Sequence, residues 1–148
     1  MSERDAGLRA GCELCHHTGG VLVARQADWR VVRVVDAAFP AFYRVVWNRH
    51  VVEFSDLDST ERARCMNVVA CVEQVLRREL NPTKINLAAF GNMVPHLHWH
   101  VIARFDWDSH FPHPVWGLKQ REVPDALERL GVSLTALDAA ILQALPVA

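Results

Sequence analysis

The segment H-L-H-W-H-V, which begins at His96, places a histidine at every second position with an apolar residue after each one. Alternation with a period of two is typical of a β-strand that buries one face. We therefore expect a strand over residues 96–104 whose leucine, tryptophan and valine side chains pack into a core. The three imidazoles, His96, His98 and His100, would then share the opposite face and be free to line a pocket.

The other segments predict a mixed fold. Apolar, β-branched and aromatic residues are concentrated in four further segments, 21–24, 29–35, 42–48 and 84–90, which we interpret as strands. Helical periodicity fills the chain between the third and fourth of these segments, and it returns over residues 134–145 after a helical stretch that Pro124 opens and Gly131 breaks. This order predicts an α+β fold, an antiparallel sheet with helices on one side.

One long helix carries the clearest boundaries. Asp58, with Glu61 three residues later, forms a capping-box start, and Asn81 followed by proline ends the helix. Besides its main apolar stripe, the helix has a second one made of Val68, Cys71 and Val75. We therefore hypothesise that this helix buries two sides, one of them against a second subunit.

Length and charge narrow the function classes. The 148 residues are 51% hydrophobic, which is enough for one domain with a substantial core. The net charge of −1 argues against a nucleic-acid partner. No apolar run is long enough to span a bilayer, so we expect a soluble, cytoplasmic protein without a membrane partner.

Residues 1–11 lack periodicity and are expected to be a mobile lead-in.

Three imidazoles on one face allow two chemistries. In one, His98 attacks a phosphorus atom while its neighbours donate hydrogen bonds to the phosphoryl oxygens and the leaving group. In the other, the histidines ligate zinc, which activates water. Acidic residues, which zinc enzymes often recruit, do not occur between Glu79 and Asp106.

Beyond this chemistry, H-L-H-W-H-V-I resembles the motif of the histidine triad (HIT) family, in which histidines alternate with other residues before two apolar positions. P-A-F-Y-R-V-V-W-N-R-H-V-V-E-F-S-D-L and G-N-M-V-P resemble two further family segments. The resemblance covers residues 12–116. It implies one domain over residues 1–148, with a core of about 12–118 and a C-terminal helical extension over 119–148.

The resemblance also implies an architecture and an activity. The fold would be a five-stranded antiparallel sheet with a long helix, assembled as a homodimer. The activity would be hydrolysis or transfer at the α-phosphate of dinucleoside polyphosphates or nucleoside phosphoramidates, as in bacterial members that hydrolyse diadenosine tetraphosphate. The chemistry would need no cofactor, although Mg²⁺ can accompany a polyphosphate.

By the same resemblance His98 would be the nucleophile, His100 would bind the phosphate oxygens and His96 would lie beside the leaving group. Asn92 stands where the family has a phosphate-contacting glutamine, and Asn86 is a second candidate for the substrate pocket.

Three departures from the family pattern affect this site. Ala41 and Phe42 stand where glycine and histidine are usual, Trp47 and Asn48 replace proline and lysine, and the stretch between residues 86 and 91 is short. Because the usual histidine is missing at Phe42, the alternative is a scaffold protein that binds nucleotides without hydrolysing them.

A second site is implied near the N-terminus. In many bacterial members, two cysteines and two histidines hold a structural zinc, and here these would be Cys12, Cys15, His50 and His96. His16 and His17 are competing ligands. Two free thiols are the alternative, whereas a redox role is disfavoured because no helix clearly begins at Cys12. Cys65 and Cys71 are expected to be buried thiols.

The loop after the histidine strand is rich in aromatic residues. We expect Trp107 to pack, whereas Trp116, with Phe111 nearby, could contact a ligand or a partner subunit. His110 and His113 are expected in solvent. Arg104 is expected to form a surface salt bridge, with a distal phosphate as the alternative partner.

Overall fold

The computed structural model describes residues 7–147, and its centre is a five-stranded sheet. Each strand is antiparallel to its neighbours in the order β1-β2-β3-β5-β4. The strands are β1 (Val21–Arg25), β2 (Trp29–Arg33), β3 (Phe42–Trp47), β4 (Lys84–Ala88) and β5 (His98–Arg104). The predicted α+β fold with five antiparallel strands is therefore confirmed.

Strand register divides the sheet into two faces. Val45 on β3 pairs with Trp99 on β5, and both side chains belong to the core beneath the helices. The adjacent pair, Arg44 and His100, points to the other face because successive residues of a strand alternate. The histidines of β5 consequently lie on the face that the long helix does not cover.

The helices are α1 (Glu13–His16), α2 (Ser59–Leu80), α3 (Ala126–Arg129) and α4 (Leu134–Ala144). The capping box of α2 is present in both directions between Asp58 and Glu61. Asn81 ends α2 in the left-handed conformation with φ of 45°. Within residues 7–147, no helix has the length and apolar character needed to cross a membrane.

The C-terminal helix covers the second apolar stripe of α2. Val68 and Val75 are fully buried within the chain, and the Cys71 thiol donates to the carbonyl of Ala144 at 3.2 Å. The Asp138 carboxylate fastens α4 by accepting hydrogen bonds from Arg33 and Tyr43 of the sheet. The hypothesis that a second subunit covers this stripe is therefore wrong, because α4 of the same chain occupies the position.

The N-terminal segment lies on the opposite face of the sheet. Leu14 of α1 packs against Val32 and Val46. Arg30 holds the segment in place through its hydrogen bonds to the carbonyls of residues 14, 17 and 18. Contrary to the prediction, a one-turn helix does begin directly after Cys12.

The structure describes only the second part of the segment that was expected to be mobile, residues 1–11. Residues 1–6 lie outside the described residues. Residues 7–11 are hydrogen-bonded to the domain, since Gly7 accepts from the backbone of His50 and Arg9 accepts from that of Cys12. The prediction of mobility is therefore wrong for this part of the segment.

Candidate functional site

His98 and His100 lie side by side at the wall of one cleft. Their ring centroids are 4.9 Å apart, and the rings are nearly perpendicular, at 84°. The cleft has a volume of about 360 Å³. Its other lining residues come from two loops and are Phe90, Gly91, Asn92, Met93, Val94 and Trp116. Two imidazoles and one amide are thus set among mainly apolar walls.

A hydrogen bond fixes the tautomer of His98. Its Nδ1 lies 2.6 Å from the backbone oxygen of His96. Because a carbonyl can only accept, Nδ1 carries the hydrogen and Nε2 carries the lone pair. Burial lowers the pKa of His98, and the charge of Arg44 lowers it further, although the hydrogen bond to His96 opposes both effects. His98 is therefore a neutral imidazole with an available nucleophilic nitrogen.

His100 is also neutral. Burial, His98 and Arg44 together lower the pKa of His100 to about 3. Its Nδ1 is buried without a hydrogen-bond partner among the described residues. The cleft therefore contains uncharged imidazoles near neutral pH.

His96 lies apart from this pair. It precedes β5, its ring is completely buried, and its Nε2 donates to the Trp47 carbonyl at 2.5 Å. That bond leaves the lone pair on Nδ1, which lies 3.4 Å from the sulfur atoms of both Cys12 and Cys15. The expectation of one face is correct for His98 and His100, whereas the ring of His96 belongs to the cysteine cluster.

Cys12, Cys15, His50 and His96 form a cluster that could hold a metal ion. Their ligand atoms all lie within 4.8 Å of one another, and the Nδ1 of His50 is 3.4 Å from the sulfur of Cys15. Ligands of tetrahedral zinc are separated by roughly 3.3–3.8 Å, given metal–ligand bonds of about 2.0–2.3 Å. The donor set and the spacing therefore fit zinc.

The second ring nitrogen of His96 strengthens this fit. Metal-binding histidines usually donate their other N–H to a carbonyl or carboxylate, as His96 does to Trp47. Neither His16 nor His17 belongs to the cluster within residues 7–147. Burial raises the pKa of the Cys15 thiol, which disfavours a reactive thiolate in the absence of a metal.

Aromatic side chains surround His100. The Trp116 ring lies 5.0 Å from His100 and 4.8 Å from Phe90 between centroids. Phe42, at the position of the missing histidine, packs edge-on against His100 at 5.4 Å. Trp116 therefore closes one side of the cleft. The packing role predicted for Trp107 is confirmed, because its ring stacks on Phe105.

Arg104 differs from both predictions made for it. Only 2% of the residue is exposed, and its guanidinium forms two hydrogen bonds with the Asp108 carboxylate. Arg104 also donates a hydrogen bond to the side-chain oxygen of Asn86 at 2.8 Å. Asn86, a candidate for the substrate pocket, does not line the histidine cleft. The expected surface salt bridge is wrong because the loop after β5 folds back and buries its own carboxylate.

The other histidines of that loop differ in exposure. His113 is exposed, as expected. His110 is half-buried and lies within hydrogen-bonding distance of the Ser109 hydroxyl at 2.8 Å, so the expectation of a solvated side chain is wrong for it.

The sequence patterns do not identify several residues that support the site. Trp47 and Asn48 appeared only as departures from a family pattern, yet Trp47 anchors His96 and the Asn48 side chain accepts from Arg30. Arg44 is a third such residue. Its signal in the sequence is its place in F-Y-R-V-V-W, where alternation puts it on the face opposite Tyr43 and Val45.

Comparisons with known proteins agree with this geometry. The sequence model of the family described as HIT domain matches residues 19–107. A search of curated protein sequences gave no significant match. A histidine triad protein from Bradyrhizobium japonicum is 31% identical with a TM-score of 0.70, over 86% of this chain and 91% of that one.

Two further solved structures are informative. A histidine triad protein from Sinorhizobium meliloti is 26% identical with a TM-score of 0.68, over 98% of this chain and 96% of that one. A protein from Mycobacterium smegmatis, described as a zinc-bound histidine triad family protein, shares the fold at 19% identity with a TM-score of 0.55, over 84% and 85% of the two chains.

Proposed function

Because this chain belongs to the HIT domain family, we propose that it is a nucleotide hydrolase or nucleotidyltransferase in which His98 is the nucleophile. One observation carries the proposal, the hydrogen bond from Nδ1 of His98 to the backbone oxygen of His96. This bond leaves Nε2 of a neutral imidazole free to attack, in a cleft that also holds His100 and Asn92.

The proposed reaction has two steps. The Nε2 lone pair of His98 forms a bond to the α-phosphorus, and the bond to the leaving oxygen or nitrogen breaks with its electrons on the leaving group, which takes a proton from solvent. The His96 carbonyl stabilises the positive charge that then develops on the phosphorylated ring. Water next attacks phosphorus, the P–N bond breaks, and a nucleoside monophosphate and a proton are released.

The other site residues have supporting roles in this proposal. His100 adjoins His98 and would donate a hydrogen bond to a non-bridging phosphate oxygen, and the Asn92 amide would do the same from the facing loop. The substrates are dinucleoside polyphosphates such as diadenosine tetraphosphate, or nucleoside phosphoramidates. Trp116 would contact the leaving group.

The test is intact-protein mass spectrometry after brief mixing with diadenosine tetraphosphate or adenosine phosphoramidate, under an acid-free quench. We expect an adenylyl adduct on the native chain and none on His98→Gly. His113→Gly, which removes an exposed histidine outside the cleft, should keep the adduct. An adduct on His98→Gly would refute the assignment of the nucleophile. Nucleotide binding without adduct or AMP release would indicate a scaffold instead.

We also propose that Cys12, Cys15, His50 and His96 hold a structural zinc ion. When bound, zinc would link the N-terminal segment to the start of β5 and so stabilise the fold. Metal analysis of the purified protein should give about one zinc per chain, and Cys12→Ser should lose it. Cys65→Ser, which alters a buried thiol outside the cluster, is the control. A full complement of zinc in Cys12→Ser would contradict the proposed ligand set.

We further propose the homodimer that the family resemblance implies. With α4 covering the second stripe of α2, the interface must use another surface. Size-exclusion chromatography with light scattering tests this directly, and a monomer at micromolar concentration would exclude the dimer.

A further inference from the structure

Arg44 lies beside the two cleft histidines. On β3 it is directly opposite His100 of β5, and Val46, the next residue on the same face, is opposite His98. Directly opposed residues of antiparallel strands have β-carbons about 4.5–5.5 Å apart, and diagonal neighbours are also within reach of a long side chain. The charge of Arg44 contributes to the low pKa of His100, as expected for adjacent groups.

The hydrogen bonds of Arg44 are incomplete. Arg30, also on the histidine face, makes four hydrogen bonds, and Arg104 makes four as well. Arg44 makes one hydrogen bond to a described residue, from Nη1 to the Gly19 carbonyl at 3.2 Å, and its Nε is buried without a partner. Leaving a buried donor without an acceptor is unfavourable, so an acceptor supplied by a ligand would satisfy this arginine.

The charge of Arg44 is also unpaired. No carboxylate of residues 7–147 forms an ion pair with it. Burial lowers the pKa of Arg44, and only the exposed Glu13 acts in the opposite direction. A half-buried cation without a counter-ion favours the binding of an anion.

The walls of the histidine cleft contain no lysine or arginine. Apart from His98 and His100, the lining residues are apolar or amide-bearing. A phosphate held between the histidines would therefore receive hydrogen bonds but would not contact a guanidinium or ammonium group of the cleft walls. Arg44, next to His100, can supply such a group.

We propose that Arg44 is a substrate-binding residue whose guanidinium contacts the phosphate of a nucleotide held at His98 and His100. This inference rests on the proposed function and adds the residue that would give the cleft its affinity for anions. The preference for a nucleoside monophosphate over the uncharged nucleoside then comes mainly from Arg44. A guanidinium suits this role because its fixed fork of donors matches phosphate oxygens.

The test is calorimetric binding of AMP and of adenosine to the native chain, Arg44→Met and Arg44→Lys. Arg77→Met is the matched control, because Arg77 is an exposed arginine on α2, on the other side of the sheet. We expect Arg44→Met to lose about 10- to 100-fold in AMP affinity while adenosine binding is unchanged. Arg44→Lys should recover part of the loss, and Arg77→Met should match the native chain.

A measurement on the native chain covers the case in which Arg44→Met does not fold. The Nε–H resonance of Arg44, identified by its absence from the spectrum of Arg44→Lys, should shift when AMP is added and stay in place with adenosine. An unchanged resonance, or equal losses of AMP and adenosine affinity in Arg44→Met, would overturn the role of Arg44 and leave the proposed function standing. Failure of the native chain to bind AMP at all would overturn both.

Discussion

The guanidinium of Arg104 donates two hydrogen bonds to the carboxylate of Asp108, from Nε to Oδ2 at 2.8 Å and from Nη2 to Oδ1 at 3.1 Å. Both residues are about 2% exposed. Asp108 also accepts hydrogen bonds from the backbone amides of residues 105, 110 and 111. The pair therefore fixes the start of the loop that carries Trp116 to the cleft.

Asp108→Ala should cost the domain about 3–5 kcal/mol of unfolding free energy, because it leaves a buried guanidinium without its counter-ion. Chemical denaturation monitored by circular dichroism measures this loss. Asp106→Ala removes an exposed carboxylate two residues away and should change stability by less than about 0.5 kcal/mol. Similar losses in the two variants would contradict the structural role of the pair.

The same carboxylate makes stability depend on pH in acid. Burial alone would raise the pKa of Asp108, but the hydrogen bonds from Arg104 and from backbone amides outweigh burial, so its pKa lies below the ordinary 3.8. A lowered pKa in the folded state stabilises the protein above the unfolded value, and the contribution is lost as the pH falls through the folded value. Below pH 3.8, the unfolding free energy of the native chain should thus fall more steeply than that of Asp108→Asn. Parallel curves would contradict this prediction.

Trp116→Ala should raise the pKa of His100. Burial is the largest cause of its low value of about 3, and Trp116 contributes to that burial by packing 5.0 Å from the ring. Admitting water should move the pKa towards the ordinary 6.5. NMR titration of the ring protons measures the shift. Trp107→Ala, which removes an indole stacked on Phe105, should leave the pKa of His100 unchanged. An unchanged pKa of His100 in Trp116→Ala would show that Trp116 does not shield this ring from water.

Asp138→Ala should loosen α4. The variant removes the acceptor for both Arg33 and Tyr43, and we expect a loss of about 1–3 kcal/mol. The Cys71 thiol, which donates to Ala144 at the end of α4, should then react faster with a maleimide, as measured by peptide mass spectrometry. Asp125→Ala breaks an exposed pair with Arg129 and should leave the reaction rate unchanged. Equal rates in all three chains would show that Asp138 does not fasten the helix.

Short-range patterns predicted the parts of the fold that depend on neighbouring residues. The capping box at Asp58 and Glu61 and the alternation that separates Trp99 from His98 and His100 are local features, and the structure contains both. A strand pattern cannot show where pairing with the next strand begins. β5 starts at His98, so His96 precedes the strand and its ring turns to the cysteines.

The errors concern contacts between distant or irregular segments. Nothing in the helical pattern of α2 distinguishes a stripe that contacts a second subunit from one that contacts α4. The partner of Arg104, Asp108, lies in a loop whose sequence has no periodicity. Arg44 is a neighbour of His100 only because β3 pairs with β5. Such contacts follow from tertiary packing, which the periodicity of a single sequence does not record.

The histidines and the walls of the cleft come from different kinds of structure. His98 and His100 belong to β5, which is hydrogen-bonded to strands on both sides, whereas Phe90–Val94 and Trp116 lie in loops. Loops tolerate changes of length and composition that a central strand does not. The segments around Phe90 and Trp116 can therefore vary in length and composition, and reshape the cleft, while the two imidazoles keep their spacing.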